Sequence, residues 1–67
     1  MNLNPKYLIK IFQQAGFVYK RSKGSYQLYF NPSTKKTVIV PMHGGKDLKK
    51  GTFYTIIKQA GINLSNT

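Results

Sequence analysis

Residues 26–42 read YQLYFNPSTKKTVIVPM, and this stretch decides the fold. Over residues 26–31 the side chains alternate in character in steps of two, which predicts a strand with one buried face. The letters NPSTK at 31–35 are typical of a turn. Residues 37–42 are rich in β-branched side chains and predict a further strand. The stretch as a whole therefore predicts two antiparallel strands joined by a short turn.

A strand and a helix are predicted on the N-terminal side of this pair. Residues 17–21 form a short candidate strand, and residues 22–25 form a turn. Before them a helix begins with Asn4 as N-cap and Pro5 at the first helical position, where a missing N–H is harmless. The helix ends at Gly16, which we predict in the left-handed C′ position. Its apolar stripe at helical spacing consists of Leu8, Ile11, Phe12 and Ala15.

A second helix is predicted on the C-terminal side, with Thr52 as its N-cap. Both helices end in the letters QAG followed by an apolar residue, which is typical of a Schellman ending. We therefore expect Phe17 to contact Phe12, and Ile62 to contact Ile57. The apolar stripe of the second helix consists of Phe53, Ile56, Ile57 and Ala60.

The predicted order of elements is α-β-β-β-α, which belongs to the α+β class. Short turns imply a three-stranded antiparallel sheet, and the two amphipathic helices are expected to cover one face of it. Double-stranded-RNA-binding domains have this arrangement, which is a likeness of fold alone. The chain of 67 residues is expected to form a single domain over residues 1–67, with nine aromatic residues to build its core.

The charge balance predicts an anionic partner. Eleven Lys and Arg face one acidic residue, so the formal net charge is +10. Self-repulsion of this size lowers stability, and nucleic acid is the first candidate for the partner that relieves it. An anionic membrane surface is the second candidate, and a basic protein without a specific partner is the third reading. The basic residues cluster as Lys20, Arg21 and Lys23, as Lys35 and Lys36, and as Lys46, Lys49 and Lys50.

Several classes of protein are excluded or disfavoured. Without cysteine, the chain has neither disulfides nor thiolate-bound zinc, and one Asp with one His makes no convincing metal centre. The segment GGK at 44–46 lacks the following Ser or Thr of a nucleotide-binding loop. The longest apolar run, at 38–42, is far shorter than the roughly 18 residues of a membrane span. We expect no cofactor, no metal, no membrane contact and a cytoplasmic location.

His43 is the only histidine, and it lies in the loop that follows the third predicted strand. An imidazole group can transfer protons near neutral pH, which makes His43 a candidate catalytic residue. A single loop histidine is also often incidental. No second histidine, acid pair or cysteine is present to build a triad around it.

Taken together, these segments resemble the HicA family of toxin–antitoxin systems over about residues 6–62. The matching segments are GF at 16–17, KGS at 23–25, VIVPMH at 38–43, GKDLKKGT at 45–52 and IIKQAG at 56–61. The resemblance implies a fold like that of double-stranded-RNA-binding domains, metal-independent cleavage of mRNA, and neutralisation by a HicB-type antitoxin. RNA is expected along the hairpin turns and the start of the second helix. The residues predicted to bind it are Lys20, Arg21, Lys23, Ser25, Lys46, Lys49, Lys50 and Thr52.

The chain departs from the family at its catalytic histidine. That histidine follows Gly-Ser directly or one residue later, and here Tyr26 and Gln27 occupy the two places. Metal-independent RNA cleavage needs a base for the 2′-hydroxyl proton and an acid for the leaving oxygen. A tyrosine with the ordinary pKa near 10 is only about one part in a thousand ionised at pH 7, and glutamine transfers no protons. We therefore expect weak or absent activity.

Two routes would restore the chemistry. A cation at Lys23 or Arg21 would favour the ionised form of Tyr26. Alternatively, His43 would carry the proton transfer while lysines stabilise the charge on phosphorus. Tyr26 therefore stands as the candidate at the family position, and His43 as the possible substitute.

Four other interpretations stay open. Tyr26 is a packing residue in line with Leu28 and Phe30, or an inactivating replacement, natural or engineered. The protein is alternatively a non-enzymatic one that holds an acidic antitoxin or binds RNA without cutting it. Binding to a membrane surface is the weakest reading, because both helices are expected to direct their apolar stripes to the core.

Overall fold

The computed structural model describes residues 2–62 and has the predicted α-β-β-β-α order. The three strands form one antiparallel sheet in the order β1-β2-β3, with both helices packed on one face of it, so the predicted architecture is confirmed. Within residues 2–62, neither helix is long and apolar enough to cross a membrane. The elements are α1 (Pro5–Gln14), β1 (Val18–Lys23), β2 (Tyr26–Asn31), β3 (Lys36–Pro41), a 3-10 turn (His43–Gly45) and α2 (Lys50–Gln59).

Both predicted ends of α1 are confirmed. The Asn4 side chain accepts a hydrogen bond from the Lys6 N–H at 2.8 Å, which caps the N-terminus. At the other end Gly16 has φ +98°, and the Phe17 N–H donates to the Phe12 carbonyl at 2.9 Å. The Phe12 and Phe17 ring centroids lie 5.2 Å apart. The Schellman ending therefore brings a second aromatic ring into the core.

α2 ends in the same way, since Gly61 has φ +74° and the Ile62 N–H donates to the Ile57 carbonyl at 3.3 Å. A Cβ atom built on Gly61 would lie 2.6 Å from Lys36 Nζ, so this ammonium group sits at the C-terminal end of α2. A cation there interacts favourably with the helix dipole. Lys36 therefore stabilises the fold at the C-terminal end of α2.

The predicted start of α2 is wrong. The N-cap is Lys49, whose carbonyl accepts from the Phe53 N–H at 2.9 Å, so Thr52 lies inside the first turn. The early start of α2 follows from the residue before Lys49. Leu48 is buried, and its N–H donates to the Leu3 carbonyl at 2.8 Å. This pairing fixes the chain just before Lys49, and the helix starts at once.

The first strand also differs from its prediction. Phe17 is buried as the last residue of the helix ending, and β1 begins after it, at Val18. The strand continues to Lys23, which pairs with Tyr26, so the turn is the two residues 24–25 and not 22–25. Gly24 takes φ +58° there, which a two-residue hairpin turn favours. β3 begins and ends one residue earlier than predicted.

The helices cover the sheet face that carries Tyr29, Val38 and Val40, each at most 3% exposed. Tyr26 lies in line with Leu28 and Phe30 on the opposite face and is 48% exposed, so it is not a core residue. A one-residue irregularity between Tyr19 and Arg21 places two consecutive basic side chains on this side as well. We call this surface the open face; it comprises Val18, Lys20, Arg21, Tyr26, Leu28, Phe30 and Ile39.

Candidate functional site

The structure brings the two candidate catalytic residues together. Tyr26 is the first residue of β2 and pairs with Pro41, the last residue of β3. His43 follows two residues later, and its ring centroid lies 6.1 Å from that of Tyr26 at an interplanar angle of 71°. This edge-to-face contact is a usual geometry for aromatic pairs. The His43 imidazole, which can transfer protons, therefore lies beside Tyr26, the first of the two places where the HicA family resemblance predicts a histidine.

The loop that carries His43 is fixed at both sides. The Met42 N–H donates to the Ser25 carbonyl at 2.7 Å, which joins this loop to the first hairpin. The Asn4 side-chain amide donates to the Gly45 carbonyl at 3.2 Å. Between these two bonds His43 adopts φ +42°, an uncommon conformation for a residue with a side chain. The predicted RNA-binding residue Ser25 thus has a positioning contact through its carbonyl.

A depression of about 250 Å³ adjoins the Tyr26 ring on the open face. Two of the predicted RNA-binding cations, Arg21 and Lys23, line it together with Tyr26. Its exposed lining is mostly apolar, and the two basic residues border an exposed aromatic ring, a combination suited to a nucleotide. The remaining lining residues are Gln27, Leu28 and Ile39.

Further cations predicted to bind RNA follow His43 along the chain. The Lys46 N–H donates to the His43 carbonyl at 3.3 Å, so Lys46 directly follows the loop of His43. Lys49 and Thr52 line a second, shallower depression on α2, and Lys50 is the first residue of that helix. Of these residues the structure places Lys46 beside the loop of His43, and the contact of all of them with RNA stays a prediction.

The basic cluster at the second turn is remote from this site. Lys36 pairs with Asn31, five residues along β2 from the pair of Tyr26 with Pro41. At about 3.3 Å per residue this separation is roughly 16 Å. Lys35 and Lys36 therefore do not share a phosphate with Tyr26.

Gln27 is the second of the two places where the HicA family resemblance predicts a histidine. Its side chain lies on the face of the sheet that the helices cover, where the buried Tyr29 binds it. The Tyr29 hydroxyl donates to Gln27 Oε1 at 2.8 Å. Burial raises the pKa of Tyr29, and the neighbouring Tyr19 hydroxyl raises it further. Tyr29 therefore stays neutral as a donor and fixes the orientation of the Gln27 amide.

We expect the Tyr29→Phe variant to be less stable by about 1 kcal/mol at neutral pH, because it lacks the bond to Gln27. A raised pKa in the folded state gives stability that is complete below the unfolded pKa of about 10 and is lost as pH rises through the folded pKa. The stability difference between wild type and variant should therefore shrink above pH 10. Urea unfolding from pH 8 to 11 measures it. Tyr7→Phe, at a ring that is 42% exposed, is the matched control, and an equal change in both variants would contradict the assignment.

Sequence reasoning missed the apolar part of this surface. Lys20 Nζ lies 5.7 Å from the centroid of the Phe30 ring, and Ile39, which pairs with Leu28 on the same face, is 52% exposed. The placement of Lys20 depends on the irregularity in β1, and no sequence pattern predicts that irregularity. Over residues 2–62, no three His, Cys, Asp or Glu side chains gather where they could hold a metal ion.

A family model described as "HicA toxin of bacterial toxin-antitoxin" matches residues 5–62. This range contains both helices, all three strands and the loop of His43. A comparison with curated protein sequences found no match.

Proposed function

The chain belongs to the HicA family of bacterial toxins, and we propose that it binds RNA and cleaves it slowly. A toxin of such a system has a cognate antitoxin. The proposed target is mRNA, the proposed antitoxin is of the HicB type, and the proposed location is the cytoplasm. The observation that carries the proposal is the contact between Tyr26 and His43 beside Arg21 and Lys23.

In the proposed reaction the His43 imidazole takes the proton of a ribose 2′-hydroxyl. The 2′-oxygen attacks the adjacent phosphorus, the bond from phosphorus to the 5′-oxygen breaks, and a 2′,3′-cyclic phosphate forms. The 5′-oxygen gains a proton from water and leaves as a hydroxyl, and the hydroxide so formed takes the proton from the His43 imidazolium. Arg21 and Lys23 stabilise the negative charge that develops on the phosphorus oxygens. Tyr26 holds the imidazole ring in place through its edge-to-face contact.

The reaction is slow because the site offers one imidazole where the chemistry uses a base and an acid at once. Gln27 cannot supply the second proton-transfer group, and its amide is already bonded to Tyr29. Each well-placed acid or base contributes roughly 10²- to 10⁴-fold to the rate. The missing acid accounts for a deficit of this order.

The test combines binding and cleavage in the presence of a chelator. We expect RNA affinity that falls steeply with salt, because lysines displace counterions from phosphates. His43→Ala should lower the cleavage rate by about a hundredfold or more while the affinity changes little. An RNA affinity that does not depend on salt would contradict the proposal, and equal cleavage by both proteins would remove His43 from the reaction.

Two lysine variants locate the binding surface. Lys46→Gln and Lys35→Gln remove the same charge, one beside His43 and one at the remote turn. We expect Lys46→Gln to weaken RNA binding more and to reduce the salt slope by about one. A larger loss in Lys35→Gln would place the RNA at the other end of the sheet.

A second candidate function is a binding protein without catalysis. The observation in its favour is that Tyr26 and Gln27 stand where the family has its histidine. Salt-sensitive RNA binding without cleavage, unchanged in His43→Ala, would support it. Isolation of a tight acidic antitoxin together with no RNA cleavage would support it as well.

A further inference from the structure

We infer that the open face binds the unpaired bases of single-stranded RNA, so that this toxin takes single strands in preference to duplexes. The inference rests on the proposed RNA binding and names its substrate class. It depends on three properties of the open face: exposed apolar and aromatic surface, flanking positive charge, and continuity with the ring of His43.

The first property is exposure. The helices cover the other side of the sheet, and on the open face Val18, Tyr26 and Ile39 are 45%, 48% and 52% exposed. Leu28 and Phe30 lie between them and are half-buried. Contiguous apolar surface of this kind on a small protein marks an interaction site.

The second property is charge. The irregularity in β1 puts Lys20 and Arg21 on the same side, and Lys20 Nζ lies over the Phe30 ring. Lys23 adds a third cation beside Tyr26. The one acidic residue of the chain is Asp47, which lies outside the sheet. Aromatic rings bordered only by cations complement bases bordered by phosphates.

The spacing of the rings selects the form of RNA. Tyr26 and Phe30 are four residues apart on one side of β2, which is about 13 Å. A ring can stack on a base only where the face of that base is free, and the bases inside a duplex are already stacked on both faces. The open face therefore offers two stacking positions to a single strand, at Tyr26 and, once Lys20 moves from the Phe30 ring to a phosphate, at Phe30; it offers none to the interior of a duplex.

The third property distinguishes RNA from a peptide as the occupant. Tyr26 belongs both to the open face and to the contact with His43. A strand whose base stacks on Tyr26 therefore has its backbone beside the imidazole, where the proposed cleavage occurs. An acidic peptide would match the charge, but this contact with His43 would serve no purpose for it.

The experiment compares a single strand of about ten nucleotides, inside the usual site size, with a blunt duplex of equal length. Both carry 2′-O-methyl groups so that they are not cleaved. We expect Phe30→Leu to weaken single-strand binding about five- to tenfold, because stacking is lost while apolar contact remains, and to leave duplex binding unchanged. Tyr7→Leu is the control, since it removes an exposed aromatic ring from α1.

A second pair of variants guards against misfolding of Phe30→Leu. Ile39→Glu puts an anion on the open face at a side chain that is 52% exposed, and Gln13→Glu makes the same charge change on exposed α1. We expect Ile39→Glu to weaken single-strand binding at least tenfold more than Gln13→Glu. Amide shifts of Leu28 and Ile39 on titration with the single strand would support the inference.

Three results would overturn the inference while the proposed function stands. One is an equal loss of single-strand and duplex affinity in the open-face variants, and another is RNA-induced amide shifts confined to α1 and α2. An acidic antitoxin that occupies the open face while RNA binds undisturbed would also overturn it. Failure of the wild-type protein to bind either RNA would instead end the proposed function, and the inference with it.

Discussion

The Tyr26→His variant should cleave RNA at least about a hundredfold faster than the wild-type protein, in the presence of a chelator. The new imidazole stands beside that of His43, because the two rings are already in contact. One imidazole then acts as base and the other as acid, which is the pair that metal-independent cleavage needs. The rate of cleavage of an end-labelled RNA at neutral pH measures the effect.

The pH dependence of this variant provides a second readout. Two proton-transfer groups, one needed with its proton and one without, give a bell-shaped profile of rate against pH. The wild-type protein, with the single imidazole of His43, should instead show a rate that rises with pH to a plateau. The two apparent pKa values read from the bell-shaped profile of Tyr26→His will belong to the pair of imidazoles and not to either one alone.

The matched control is Tyr26→Phe, which keeps the aromatic ring and adds no group for proton transfer. We expect its cleavage rate to stay at or below that of the wild-type protein. If Tyr26→His binds RNA normally and remains as slow as the wild type, position 26 is not the catalytic position. Gln27→His then tests the other family position, at the cost of the bond from Tyr29.

The helix endings were predictable because their causes are local. A left-handed glycine followed by an apolar residue closes a helix with contacts that span only five or six residues. Gly16 with Phe17 and Gly61 with Ile62 therefore behave as their sequence indicates. The start of α2 was not predictable in the same way, because it depends on the pairing of Leu48 with Leu3, far away in the chain.

The buried side of β2 was difficult to assign from its pattern. Both sides carry large side chains, since Tyr29 lies on the covered side and Phe30 on the open face. Asn31 has a polar side chain and yet is only 4% exposed, because its amide bonds to the Ala15 carbonyl and to the following turn. A period of two thus predicts a strand here without telling which side the helices cover.

The candidate site was predictable only in part. Tyr26 was singled out by the family pattern and His43 as the one histidine, each independently. Their contact depends on the register that pairs Tyr26 with Pro41, a long-range feature of the sheet. The position of Lys20 on the open face depends on the irregularity between Tyr19 and Arg21 in β1. Sequence reasoning thus finds residue types, while pairing between strands decides which of them meet.

The Phe12→Ala variant should be less stable by about 3–5 kcal/mol, because Phe12 is fully buried and the removed ring leaves a cavity. A folded chain of this length has roughly 3–10 kcal/mol in total, so much of the variant should be unfolded at 25 °C. Urea unfolding followed by circular dichroism measures the change. Tyr7→Ala, at a ring that is 42% exposed and stacks on Phe53, is the control and should lose about 1 kcal/mol.

A double variant tests whether the helix ending stabilises the core through its ring pair. Phe12→Leu combined with Phe17→Leu, which remove the rings but keep apolar volume, should cost less than the sum of the single changes, with a coupling of about 0.5–1.5 kcal/mol. Strict additivity would show that the contact between the two rings adds nothing. The same α1 carries Asn4, whose amide holds Gly45 in the loop of His43. Loss of α1 should therefore release that loop, so RNA cleavage should fall with the folded fraction although Phe12 contacts no RNA.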